Sequence, residues 1–135
     1  AATDDQGANR AVRQAADEHH VLLNVVDIPD LCDFYVPASF ARGDFEIAVN
    51  TAGASPVLAK RIREELEQEF GWEYAVFLEL LARLRRELKE RVADRERRAE
   101  AERDFVYSEA LALLAQGKRT EAEKVFEECL HRYAG

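Results

Sequence analysis

The spacing of apolar and polar residues changes texture several times along the chain, and each texture predicts a different element. From Asp4 to about His19, Ala8, Ala11, Val12, Ala15 and Ala16 recur on one helical face, with Asp4 or Asp5 placed to cap the helix. Small residues let a helix lie close to a sheet, so this helix is expected to cover Val21–Val26. Leu22-Leu23-Asn24-Val25-Val26-Asp27-Ile28 follows, a run of large, partly β-branched side chains that ends on a carboxylate just before Pro29. Such a run predicts a strand buried on both faces, as in a parallel sheet. A helix followed by that strand makes the second half of a βαβ unit. Ligands of open α/β sheets bind beyond the carboxyl ends of strands, which makes Asp27 a candidate for chemistry. Capping a turn is the plainer role for the same carboxylate.

Further on, Phe45, Ile47 and Val49 alternate with Glu46, Ala48 and Asn50, the period of a half-buried antiparallel strand. Ala41–Asp44 predicts a turn back to an extended piece around Tyr35–Phe40. Ser55-Pro56 is a helix start, with a hydroxyl at the N-cap and proline at the first position. Leu58, Ile62, Leu66 and Phe70 then carry that helix to Gly71. A long helix is expected from about Trp72 to past Val92 on the stripe Phe77, Leu81, Leu84, Leu88 and Val92. The charged run Asp94–Asp104 reads as its solvated extension or as a connector. Phe105–Gln116 and Glu121–Tyr133 predict a helical hairpin, broken at Gly117 and restarted by a Thr120…Glu123 capping box. This hairpin also resembles one tetratricopeptide-type unit, and packing on the Trp72–Val92 helix is its expected role.

Charge narrows the function classes. The 135 residues hold 19 Lys and Arg against 27 Asp and Glu, a net −8. That balance argues against nucleic acid and anionic membranes as partners. No apolar run approaches the roughly 20 residues of a membrane span. Cys32 and Cys129 form neither a metal-type pair nor a disulfide framework, and His19, His20 and His131 show no ligand spacing, so no metal site is predicted. A cytoplasmic setting is the default expectation.

An ordered set of segments carries a more specific signal. Ala1-Ala2-Thr3-Asp4-Asp5 and Asn9 precede Asn24-Val25-Val26-Asp27; Leu31-Cys32-Asp33-Phe34-Tyr35-Val36-Pro37-Ala38 follows, then Arg42-Gly43. Asn50-Thr51-Ala52-Gly53-Ala54-Ser55-Pro56-Val57-Leu58-Ala59 and Arg61-Ile62-Arg63-Glu64-Glu65-Leu66-Glu67 complete it. Over residues 1 to about 70 the chain resembles the precorrin-2 dehydrogenase / sirohydrochlorin ferrochelatase family of siroheme synthesis. The fold class implied is α/β plus all-α. Residues 1–36 would be the C-terminal part of a Rossmann-like NAD-binding domain, 37–70 a dimerisation and substrate-carboxylate region, and 71–135 a helical domain. No glycine-rich phosphate turn occurs in the chain, and it starts at Ala1 without any methionine. It is therefore expected to be the later portion of a longer enzyme, inactive alone.

What the resemblance implies for function is NAD-dependent oxidation of precorrin-2 to sirohydrochlorin, with Fe2+ as a further substrate if chelation also occurs, in a homodimer. The family's essential aspartate falls on Asp27, a proton acceptor for both steps. Thr3 and Asp4 lie where the nucleotide crevice would close. The loop Thr51, Gly53, Ser55 before a helix start suits the carboxylates of an eight-carboxylate tetrapyrrole, and Arg42 and Lys60, with Arg61 and Arg63 beside them, could add charge-assisted bonds. Thr51 stands where some members carry a phosphorylatable serine. The competing readings are a non-catalytic dimerisation and helical module, a partner-docking stalk built on Trp72–Arg98, or a dehydrogenase without chelatase activity.

Overall fold

A computed structural model describes residues 1–135. It is helical, with one two-stranded antiparallel sheet. The order is α1 (Gln6–His19), a 3₁₀ turn (Pro29–Leu31), β1 (Ala38–Arg42), β2 (Phe45–Val49), α2 (Pro56–Glu69), α3 (Glu73–Arg91), α4 (Arg95–Val106), α5 (Ala110–Ala115) and α6 (Arg119–Ala134). The chain divides into two compact units, Ala1–Phe40 with Ile47–Glu65, and Ala41–Glu46 with Leu66–Gly135.

In the first unit Asp5 caps α1, its carboxylate accepting from the N–H groups of Gly7 (2.7 Å) and Ala8 (3.1 Å). The helix ends at His20, which turns left-handed (φ 55°) while its N–H donates back to Ala16 and Asp17. The alanine face packs only in part: Ala16 and Asn9 are buried, but Val12 remains 41% exposed. Leu22–Ile28 is not a strand. Beside it lies Ala1, whose nitrogen donates to the Asn24 carbonyl and whose carbonyl accepts from Val26 N–H at 2.9 Å, and at its start the Leu23 carbonyl accepts from Asp33 N–H at 2.8 Å. A parallel strand is held by ladders on its edges; these isolated bonds form no ladder to propagate. Leu22 and Val26 consequently stay 73% and 53% exposed, while Val25 is buried with Phe40 and Ala59.

β2 occupies the expected residues, and β1 begins at Ala38, later than the Tyr35–Phe40 expected from the sequence. Gly43 takes a positive φ of 61° in the turn between them. Ser55 Oγ accepts from Leu58 N–H at 3.2 Å, so the predicted start of α2 holds.

The second unit is built round α3. Its buried residues are Phe77, Leu80, Leu84 and Leu88, spaced by three and four. The long helix does not continue past Val92, which is extended (φ −118°, ψ 109°). Asp94 starts a new helix instead, its carboxylate accepting from Glu96 N–H at 2.8 Å, and Arg98 Nη1 ties the corner by donating to the Val92 and Ala93 carbonyls. α4 is no solvated extension: Ala101 and Phe105, four residues apart, are fully buried. Phe105 stacks on Phe77 (5.3 Å between centroids) and meets Phe126 edge-on (6.0 Å). The Arg83 guanidinium covers the Phe126 ring at 4.3 Å. α5 and α6 close the core with Ala110, Ala122, Phe126, Cys129 and Leu130. Gly117, at φ 74°, ends the hairpin's first helix as read. The capping box does not form, because α6 begins at Arg119, one residue before Thr120; Glu123 pairs with Arg119 at 3.3 Å. Packing of the hairpin on α3 is as expected.

Leu84 is fully enclosed at the centre of this core. Leu84→Ala is expected to lower unfolding free energy by about 2–5 kcal/mol, read from the midpoint shift in urea denaturation.

Candidate functional site

A hollow of about 500 Å3 opens in the first unit. Three pieces of chain line it: the loop Asn24–Pro29 with Cys32, the segment Tyr35–Ala38, and the end of β2 leading through Asn50, Thr51 and Gly53 to Pro56 and Ala59 of α2. Most of the lining is aliphatic, proline or ring surface, and polar groups stand at intervals along it. Asp27 is one of them. It is exposed and also lines the hollow, among neighbours that are mostly apolar.

The loop carrying Asp27 is clasped at its base. Asp33 N–H donates to the Leu23 carbonyl, and Leu23 N–H donates to Asp33 Oδ2, both at 2.8 Å. The same Oδ2 accepts from Arg13 Nη1 of α1 at 2.6 Å. The Arg13 hydrogen bond, then the Leu23 N–H, holds the Asp33 carboxyl below its ordinary 3.8. Within the loop, Ile28 N–H donates to Val25 C=O at 3.4 Å and Asp27 turns left-handed at φ 59°. Aspartate is among the few side-chain-bearing residues that visit this region readily. Asp27 is thus a turn residue and a wall residue of the hollow together.

Another part of the lining is a tight turn. Ala54 N–H donates to Thr51 C=O at 3.0 Å, and the two residues between, Ala52 (φ 50°) and Gly53 (φ 78°), are both left-handed, the pattern of a type I′ turn. Asn50 Oδ1 accepts from Ala52 N–H at 2.7 Å. Thr51 Oγ1 accepts from Ser55 N–H (3.2 Å) and donates to Ser55 C=O (3.1 Å). Gly53 is held to glycine a second time by Tyr35, since a Cβ there would lie 2.8 Å from the ring.

Asp27, Thr51 and Gly53 therefore share one hollow. Ser55 spends its hydroxyl capping α2, and Lys60 is exposed on that helix outside the lining. Thr3 and Asp4 precede α1: Thr3 Oγ1 accepts from Asp5 N–H, its carbonyl accepts from Asn9 Nδ2 at 2.9 Å, and Asp4 is exposed. Arg42 belongs to the second unit, where it donates to the Glu67 carboxylate (3.3 Å) and carbonyl (3.2 Å) and stands 5.6 Å from the Trp72 ring. Arg61 and Arg63 pair with Glu65 and Glu64. Asn24, Cys32, Tyr35 and Asn50 also line the hollow; they fall within the segments that carry the resemblance, which assigns them no role. Asn50 had a local signal, an Asx-type turn into Thr-Ala-Gly. Tyr35 had none, because its contact with Gly53 spans a long loop.

Two family models match the chain: a putative NAD(P)-binding family over residues 1–38 and the sirohaem biosynthesis protein central family over residues 42–69. A siroheme synthase of Methylococcus capsulatus is 42% identical over 132 residues, covering 95% of this chain and 27% of that protein. One from Thioalkalivibrio sulfidiphilus is 33% identical over 130 residues, with 96% and 27% covered. Over nearly its whole length the chain is similar to siroheme synthases. It spans about a quarter of the length of the siroheme synthases it matches. Among solved structures, SirC, a precorrin-2 dehydrogenase, superposes with a TM-score of 0.62 at 28% identity, over 93% of this chain and 60% of that one. Of the loops that build the hollow, Asn24–Ala38 falls in the first matched region and Asn50–Ala59 in the second.

The Asp33 clasp sets a pH dependence. A carboxylate held below 3.8 contributes stability that is present above that pH and lost as pH falls through its lower folded value. Asp33→Asn is expected to melt below the parent at pH 7, with the gap closing progressively below 3.8, in paired circular-dichroism melts.

Proposed function

We propose that this chain supplies the proton-accepting wall and part of the substrate cradle of an NAD-dependent precorrin-2 dehydrogenase, which makes sirohydrochlorin on the way to siroheme. The observation that carries this reading is the hollow itself: one exposed carboxylate, Asp27, in a mostly apolar lining that it shares with a polar turn at Thr51 and Gly53. A tetrapyrrole is a flat apolar ring with an anionic rim, and the two kinds of lining suit its two kinds of surface. Thr51, Gly53, Ser55, Lys60 and Arg42 are proposed to serve the rim carboxylates.

The residues present fit one part of the dinucleotide. Around Thr3 and Asp4 the chain offers an exposed carboxylate and a hydroxyl, suited to ribose hydroxyls or a carboxamide. It does not offer a pyrophosphate cradle there, because the Asp5 carboxylate already takes the N–H groups of Gly7 and Ala8 at the α1 terminus. Bound NAD supplies the hydride acceptor. The chain's share of the reaction is the proton: as hydride leaves precorrin-2, Asp27 takes the proton released from the macrocycle and passes it to solvent, to which it is open.

Chelation of Fe2+, as a substrate, would ask for the same acceptor, since pyrrole N–H protons must leave when the metal enters. The exposed Leu22 and Val26 support a Rossmann-like reading of residues 1–36, in which neighbouring strands and helices would cover them. Residues 37–70 would pair with a second copy through the hairpin, and 71–135 form the helical domain.

Asp27→Asn keeps the side chain's shape and removes the proton acceptor. In full-length protein given NAD and precorrin-2, kcat for sirohydrochlorin formation is expected to fall by about 10²–10⁴-fold with an unchanged melting temperature. Parental turnover in that variant would remove Asp27 from the mechanism.

A further inference from the structure

The Cys32 thiol sits inside the loop that presents Asp27 and is bonded to both sides of its turn. Its sulfur accepts from Val25 N–H at 3.2 Å, and its S–H lies 3.1 Å from the Val25 carbonyl and 3.3 Å from the Ile28 carbonyl. Asn24 Nδ2 approaches it at 3.6 Å while also donating to the Phe34 carbonyl at 2.9 Å. Cys32 N–H closes the 3₁₀ turn onto Pro29 C=O at 3.0 Å. One small side chain thus touches residues on each side of Asp27, in a loop that no sheet ladder holds. Asp27 is left-handed at φ 59°, and the turn bond across it, Ile28 N–H to Val25 C=O, is long at 3.4 Å.

We propose that Cys32 is a positioning residue for the dehydrogenation: by bridging Val25 and Ile28 it fixes the turn that aims the Asp27 carboxylate into the hollow. This rests on the reading of Asp27 given above, and adds a role for the thiol as a hydrogen-bonding pin. A thiol suits the place because it is compact, bonds both N–H and C=O groups, and is itself an apolar part of the hollow's wall. Serine offers the same donor and acceptor on a shorter arm; alanine offers neither.

Cys32→Ala, Cys32→Ser and Cys32→Val, made in the full-length protein, test this by kinetics and by amide hydrogen exchange. In Cys32→Ala, kcat should fall about tenfold or more, as expected when a reacting group is misplaced by a fraction of an ångström, while KM for precorrin-2 and NAD changes less than about twofold. Exchange at Val25 N–H should quicken by about tenfold. Cys32→Ser should recover most of both losses. Cys32→Val keeps apolar bulk without hydrogen bonds and should behave as the alanine variant does; it decides the matter if Cys32→Ala does not fold. Turnover near the parent's in the alanine and valine variants, unchanged Val25 exchange, or a folded serine variant as impaired as alanine would each overturn the proposal. If Asp27→Asn keeps parental turnover, the proposed function fails while the exchange data still decide whether the thiol pins the turn.

Discussion

Asp33 gathers three constraints, two of them at one carboxylate oxygen. It takes the Leu23 N–H, it takes Arg13 of α1, and the Asp33 backbone returns a bond to Leu23, so the loop from Leu23 to Asp33 is closed at its neck and tied to a helix. Everything proposed for Asp27 depends on that neck. The loop has no ladder along it and buries only Val25 deeply. Its shape comes from a few local bonds: the clasp, the 3₁₀ turn at Pro29 and the Cys32 sulfur. Elsewhere in the lining the same economy recurs, with Thr51 and Ser55 bonded in both directions round a turn of two left-handed residues.

Local chemistry made much of this readable from the chain. Ser55-Pro56, Asp5 and Gly117 act within a few residues of themselves, and each does what its side chain or its freedom at positive φ predicts. Stripes spaced by three and four located α3 and α6 because their burial repeats along one face. The failures share a physical cause. Val25-Val26 reads as buried strand only if neighbours flank it, and hydrophobicity cannot say that they do. The break at Val92 was hidden because Leu88 and Val92 continue the stripe, while Asp94 offers a competing cap. Phe105 went to the wrong helix, since it ends α4 and the charged residues before it masked the buried pair it makes with Ala101. At the site, Asp27, Thr51 and Gly53 line one hollow, while Cys32 and Tyr35, which the resemblance includes without assigning them a role, act through contacts across loops that one sequence does not specify.

Arg42 illustrates why a cation in a motif is weak evidence by itself. Its guanidinium is engaged with the Glu67 side chain and carbonyl and lies near Trp72, while Phe45, Phe70 and Tyr74 stack close by. That set organises the hairpin tip and the end of α2 within the second unit. Any role in holding a rim carboxylate would have to share the guanidinium with these partners, or exchange them for the ligand.

The Arg13–Asp33 pair is partly exposed to water, whereas the helical core round Leu84 and Phe105 is dry. Added salt screens the first kind of contact and, when strongly hydrated, reinforces the second. The two halves of the chain therefore answer to different solvent variables: ionic strength loosens the frame of the hollow under conditions that leave the helices tighter.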